Sequence, residues 1–186
     1  MSEALLIVDA QVDFCPGGKL AIPHGDEIIP VVNRHIRTAT TVVASRDWHK
    51  PGVDYGWPEH CVQGTSGAQY HPGLNVDGIT FEVLKGDGLL HPYGAFYADN
   101  ERGVLLPTHA YLQGQGVHKL KVCGLATDYC VKTTVLDALH LSYLVVVLVD
   151  ACRGLELATT QAALAEMKAA GAVLKATNEE GESHGI

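Results

Sequence analysis

Apolar residues along this chain gather in two kinds of run. Short, nearly continuous apolar segments at 4–9, 41–46, 80–84, 120–124, 143–150 and 172–176 have the length and β-branched character of buried strands. Between them, apolar positions fall at helical spacing over 26–39, 105–113, 128–141 and 159–170. Leu5-Leu6-Ile7-Val8 and Val145-Val146-Val147-Leu148-Val149 are apolar on both faces, as central parallel strands are when helices cover both sides of their sheet. The alternation predicts an α/β fold. Pro30 and Pro107 count against two of the helices, because proline cannot donate the backbone bond that a helix interior needs.

Length and composition narrow the picture. At 186 residues, 47% hydrophobic and 18% charged, the chain fits one soluble domain over residues 1–177 with a loose polar tail at 178–186. A domain of this size buries about 70% of the surface that its unfolded chain exposes and needs no disulfide framework. With 21 acidic against 13 basic residues, the net charge of -8 has the wrong sign for a surface that binds nucleic acid or anionic lipid. No basic segment precedes the first apolar run, and the longest such run, 143–149, falls well short of the roughly 20 residues of a membrane span. The expected location is the cytoplasm. Five cysteines, an odd number without a CxxC pair, read as free thiols.

Parallel strands place their C-terminal ends on one edge of the sheet, where open α/β sheets bind ligands. Asp9, Asp47, Lys85 and Asp150 stand at strand ends, and the stretch from Gly124 to Cys130 joins a strand to a helix. Cys130 then falls in the first helical turn, where unpaired N–H groups and the helix dipole favour a thiolate and can receive an oxyanion. Position alone balances that reading against a small buried hydrophobe; Cys15, Cys61, Cys123 and Cys152 read as packing. Asp9 and Lys85 could serve such a nucleophile as base and counter-charge, or could be a turn residue and a solvated lysine. In Arg46-Asp47-Trp48-His49, residues two apart in an extended chain point the same way, so Asp47 and His49 can face one ion. His60 can fold back as a third ligand, with His71 and His91 as rivals. One carboxylate and two imidazoles leave coordination positions open, as a catalytic site does.

In this order along the chain, these residues resemble the nicotinamidase/pyrazinamidase family of isochorismatase-like cysteine hydrolases. The similarity runs through residues 7–18 (IVDAQVDFCPGG), Ser45-Arg46-Asp47-Trp48-His49, residues 57–65 (WPEHCVQGT), Lys85-Gly86 and residues 124–131 (GLATDYCV). The resemblance implies a three-layer sandwich around a six-stranded parallel sheet, with a catalytic triad of Asp9, Lys85 and Cys130. It implies an oxyanion hole from the backbone N–H groups of Ala126 and Cys130, reached through a cis peptide between Leu125 and Ala126. Phe14 and Trp57 would flank the substrate ring. Asp47, His49 and His60 would bind one divalent metal ion, zinc first, with iron and manganese suiting the same donors. The implied reaction is hydrolysis of nicotinamide, and of pyrazinamide, through a thioester; the implied partner is this small molecule, and a homo-oligomer stays open.

Four features depart from the family pattern. Only ten residues separate His49 from His60, and the additional His or Glu common in that loop is absent, leaving Asp54 and Tyr55. The stretch 88–92 is irregular, and His24 stands where glycine is common. Other amidases of the superfamily, acting on carbamoyl or ureido substrates, and a non-catalytic metal-binding or thiol-sensing relative are the alternatives.

Overall fold

The computed structural model describes residues 2–53, 55–86, 92–100 and 103–177. The tail 178–186, Asp54, His91 and all but Pro92 of the 88–92 stretch lie outside the described residues. Along the chain run β1 (Ser2–Val8), α1 (Ile28–Ile36), β2 (Val42–Asp47), β3 (Phe81–Lys85), β4 (Ala98–Asn100), β5 (Gly103–Leu105), α2 (Pro107–Gly114), β6 (Val117–Leu125), α3 (Lys132–His140), β7 (Leu144–Arg153), α4 (Leu157–Ala169) and β8 (Val173–Lys175).

Six strands form one parallel sheet in the order β3-β2-β1-β6-β7-β8, while β4 and β5 pair separately as a small antiparallel hairpin. The chain starts mid-sheet, builds outward to β3, returns to β6 beside β1 and builds outward again to β8. Right-handed crossovers therefore put α1 on one face and α2, α3 and α4 on the other. α1 packs on β1, β6 and β7, and α3 on β7 and α4. Strand order reverses between β1 and β6, which opens a crevice beyond their C-terminal ends. Leu6, Ile7 and Val8 of β1 and Leu120, Val122 and Leu125 of β6 are fully buried. At roughly 1.5–3 kcal/mol for each such aliphatic side chain, the central pair anchors the rim that carries the site.

Both prolines that argued against helices sit where a helix tolerates them. Pro107 is the first residue of α2 and Pro30 the third of α1, positions whose N–H groups have no intrahelical acceptor. The β4–β5 hairpin gave no signal in the sequence, because three-residue strands are too short to show alternation. Asp150 does not end its strand as expected. A register irregularity between Val122 and Gly124 carries β7 on to Arg153, and the Asp150 carboxylate instead accepts hydrogen bonds from the N–H (3.0 Å) and hydroxyl (2.9 Å) of Thr177. Among the described residues, no helix is long and apolar enough to cross a membrane.

Candidate active site

Asp9 follows β1 directly, in a left-handed conformation with φ of 48°. Ser45, on β2, holds it twice: the Asp9 N–H donates to the Ser45 carbonyl (3.2 Å), and the Ser45 hydroxyl donates to Asp9 Oδ1 (2.7 Å). Asp47 and Lys85 end neighbouring strands and lie in register with each other. The Lys85 ammonium sits 2.8 Å from Asp9 Oδ2, donates to Asp47 Oδ1, and lies 3.5 Å from Cys130 Sγ. Lys85 is 2% exposed and Asp9 fully buried, so water screens none of these charges.

Electrostatics follow from that enclosure. Burial disfavours the charged Lys85 ammonium, but Asp47 and Asp9 outweigh it and hold the lysine pKa well above its ordinary value. Burial pushes the Asp9 carboxyl up to about 6, with Lys85 opposing and Asp47 reinforcing the rise. Burial also pushes the Cys130 thiol well up, against Lys85. The group is thus a protonated thiol beside an ammonium and a carboxyl whose pKa has been raised to about 6.

Cys130 reaches the cluster through a local break in regular structure. β6 closes on a cis peptide between Leu125 and Ala126, and a wide π-type turn at Thr127–Val131 leads into α3. Gly124 precedes the turn with φ of 127°, and a Cβ there would lie 2.0 Å from the Val8 carbonyl oxygen. Only glycine lets β6 approach β1 this closely where the strand order reverses.

The second cluster shares Asp47. Its Oδ2 lies 3.6 Å from His49 Nε2 and 3.8 Å from His60 Nε2. The loop returns because the His49 N–H donates to Cys61 O (3.0 Å) and the Gln63 N–H to His49 O (2.9 Å). His49 Nδ1–H donates to Gly86 O and His60 Nδ1–H to Pro58 O, each at 2.7 Å. These bonds place a proton on each Nδ1 and turn both Nε2 atoms towards the Asp47 carboxylate. Gly86 is required for this approach: its φ is 78°, and a Cβ would meet His49 Cε1 at 2.8 Å. Burial opposes ionisation of Asp47, but Lys85, His49 and His60 outweigh it and hold its carboxyl well below the usual range. The ligand atoms of Asp47, His49 and His60 all lie within 4.8 Å of one another, close enough to draw in around one divalent ion, whose tetrahedral ligand atoms stand about 3.3–3.6 Å apart.

His71 does not join this cluster. Its Nδ1 accepts the Gly73 N–H at 3.1 Å, and the ring lies in a surface groove beside α1. The Tyr55 ring lies tilted against that of His49, with centroids 4.4 Å apart, and its hydroxyl accepts the Lys50 N–H, so it packs against His49 rather than adding a donor to the cluster. His24 has φ of 58°, the backbone conformation for which glycine is otherwise the natural residue. All five cysteines are free and buried.

Cys130 of the first cluster and Asp47, His49 and His60 of the second line one cavity. Phe14 lines it, its ring 5.4 Å from that of His60. Trp57 lines it too, edge-on to Tyr129 at 5.0 Å, with its indole N–H donating to the Tyr93 hydroxyl at 3.2 Å. Ala126 and Cys130 are part of the same wall.

Comparison with known proteins agrees with this geometry. The isochorismatase domain family matches residues 3–179. The nicotinamidase of Escherichia coli (strain K12) is 43% identical, over 92% of this chain and 93% of its own. The chain belongs to the nicotinamidase/pyrazinamidase family. Among solved structures, the pyrazinamidase of Pyrococcus horikoshii in complex with zinc superimposes with a TM-score of 0.81 at 38% identity, covering 95% of this chain and 99% of that one. PnC1 from L. infantum in complex with nicotinate gives 0.86 at 34% identity, covering 95% and 93%.

Within this nicotinamidase-family chain, several residues of the site escaped the sequence reading. Ser45 was legible in principle, since the two-residue periodicity that joins Asp47 to His49 also runs back to Ser45. Tyr129 adjoins Cys130 in a quoted motif, but an aromatic next to a nucleophile carries no orientation in a one-dimensional pattern. Leu20 and Ile22, Tyr93, and Leu155 come from three separate segments and meet only in the folded cavity. Asp128, inside the same motif, accepts from the Leu155 and Glu156 N–H groups and the Thr159 hydroxyl at the start of α4. It serves the helix, not the cavity.

Proposed function

We propose that this chain is a nicotinamidase, a cysteine amidohydrolase that converts nicotinamide to nicotinate and ammonia and also takes pyrazinamide. One observation carries the reading: a buried ammonium lies 2.8 Å from Asp9 and 3.5 Å from Cys130 Sγ, at the wall of an aromatic cavity in a chain whose relatives are nicotinamidases.

Asp9, Lys85 and Cys130 act as the triad. Because burial keeps Cys130 a thiol, attack needs a base, and a carboxylate with its pKa raised towards neutrality is suited to the task. Asp9 takes the thiol proton, Sγ adds to the carboxamide carbon, and the carbonyl oxygen becomes an oxyanion. The backbone N–H groups of Ala126 and Cys130 receive it, a contribution of about 3 kcal/mol per donor. The C–N bond then breaks, Asp9 returns the proton to the departing nitrogen, and ammonia leaves. Asp9 next takes a proton from water, the resulting hydroxide adds to the thioester, and Sγ departs to recover its proton from Asp9 as nicotinate is released. Lys85 compensates the thiolate and keeps Asp9 oriented throughout. Phe14 and Trp57 hold the ring between them.

Asp47, His49 and His60 would hold a divalent ion, for which we take zinc. Such an ion supplies a Lewis-acid contact for the ring nitrogen. The matching chemistry of the donors and the zinc bound by the Pyrococcus horikoshii relative support this assignment.

The reading is tested by ammonia release from nicotinamide, pyrazinamide and a carbamoyl substrate, using metal-loaded, fully reduced protein. Turnover of the two aromatic amides is expected. Turnover confined to the carbamoyl substrate would move the chain to another branch of the superfamily. No turnover at all would make it a non-catalytic relative.

A further inference from the structure

The motif that ends β1 holds two buried polar residues that the mechanism does not use. Gln11 is fully buried and Asp13 nearly so. Neither lines the cavity, so neither touches the ring of a bound substrate. Each instead holds backbone of a segment that bears proposed metal ligands.

The ladder between β1 and β2 ends near Ala44, because the chain turns away at Asp9. The Gln11 carboxamide takes over where the ladder stops. Its Oε1 accepts the Asp47 N–H at 2.8 Å, and its Nε2 donates to the Asp47 carbonyl at 2.8 Å and to the Ala68 carbonyl at 3.0 Å. One side chain thus grips both peptide groups of Asp47 and ties them to the returning loop. Two residues on, Asp13 Oδ2 accepts the N–H of Cys61, beside His60, at 2.7 Å, while Oδ1 accepts the Lys19 N–H at 3.2 Å. Gly67 leaves the room this needs, since a Cβ there would lie 2.1 Å from Asp13 Oδ2. Main-chain bonds from Val12 to Gln69 and from Asp13 to Gly67, both 3.0 Å, lay this segment along the loop.

We propose that Gln11 and Asp13 are positioning residues of the metal centre, Gln11 setting Asp47 and Asp13 setting His60. This rests on the metal reading above. The physical need is plain: ligand atoms must stand within a few tenths of an ångström of their bonding positions. His60 comes from an irregular stretch that has no regular ladder of its own. Two buried side chains from the end of the central strand supply the missing reference.

The test measures cobalt(II) and zinc affinity by chelator competition in wild-type protein, Asp13→Asn and Gln11→Glu, together with the visible absorption of the cobalt-loaded forms and the unfolding midpoint of the metal-free forms. Asp13→Asn changes one atom, leaves a single acceptor oxygen for the two N–H groups of Cys61 and Lys19, and removes the charge that strengthens both bonds. Gln11→Glu keeps the acceptor for Asp47 and loses the donor to two carbonyls. Well below their unfolding midpoints, both variants should bind metal roughly 10- to 100-fold more weakly, with altered cobalt bands. Should Gln11→Glu fail to fold, Asp13→Asn alone decides. Variants that lose thermal stability yet keep wild-type affinity and cobalt spectrum would overturn the proposal and leave a purely structural role. Wild-type protein that takes up neither ion would overturn the metal reading itself, and this inference with it.

Discussion

The Ser45 hydroxyl donates to Asp9 Oδ1 at 2.7 Å, inside a site where the Asp9 carboxyl has been pushed up to about 6 by burial. A donor to a carboxylate stabilises its charged form, so Ser45 holds the Asp9 pKa lower than burial and Asp47 would otherwise set it. If Asp9 acts as the base, kcat/KM should rise with pH and level off above about 6. Ser45→Ala removes the donor, which favours the neutral acid, and the acidic limb should move to higher pH. A hydrogen bond to a charged group is worth about 1.5–3 kcal/mol, or roughly 1–2 pH units. A pH–rate profile of the variant decides, and a limb that stays in place or moves down would contradict the assignment of Asp9.

Replacing Cys130 by alanine should lower ammonia release by at least about 10³-fold, the scale of losses when a nucleophile is removed. Bound metal should be unchanged, because the Asp47, His49 and His60 donors do not include the sulfur. Metal analysis beside a turnover assay separates the two effects. Retained turnover would remove the thioester mechanism, whereas lost metal would mean that the two clusters depend on each other more closely than their geometry suggests.

His49→Ala removes one of two imidazoles and leaves the Gly86 carbonyl without its partner. Metal content should fall by at least about tenfold, and KM for nicotinamide should rise more than kcat falls. Gly86→Ala should act in the same direction without touching a ligand. Its φ of 78° disfavours a side chain, and the added carbon would press on the His49 ring; a loss of about 1–3 kcal/mol in stability should accompany weaker metal binding. Elemental analysis of both purified variants checks this, and unchanged stoichiometry in His49→Ala would show the ligands to be misassigned.

How much of this was readable beforehand depended on the kind of signal. Asp9, Asp47 and Lys85 could be found because a parallel sheet gathers strand ends on one edge, so chain position already carries spatial information. The pairing of Asp47 with His49 followed from strand periodicity. His60 needed a loop to fold back, and the choice over His71 rested on resemblance; the loop brings His60, not His71, beside Asp47 and His49 through the His49–Cys61 backbone bond, which no pattern in the sequence encodes. The same limit hid Gln11. Nothing in its neighbourhood marks a polar residue as buried, and its role exists only once β1 and β2 lie side by side; Ser45 lay on the strand periodicity, but its bond to Asp9 needs the same pairing. Asp150 failed as a strand-end residue for the opposite reason, since a register irregularity moved the strand's end three residues onward.

Lys85→Met tests the electrostatic logic most directly. The variant keeps most of the length of the side chain but leaves Asp9 and Asp47 buried without the ammonium that lies between them. Breaking a buried ion pair by removing one partner costs about 3–5 kcal/mol, and for a chain of this size each kcal/mol is worth about 2–4 °C of unfolding midpoint. The sign with pH follows from the charges left behind. Without Lys85, the Asp9 pKa rises further above its unfolded value and Asp47 loses the partner that holds its pKa down, so the native variant binds more protons than native wild type. Stability relative to wild type then falls as pH rises. In metal-free protein the deficit of the variant against wild type should therefore be larger at pH 8 than at pH 5, where protonation of Asp9 relieves the unpaired charge. Thermal unfolding of both proteins at the two pH values measures this. Equal deficits at both would show that Lys85 stabilises the fold by packing and not by its charge.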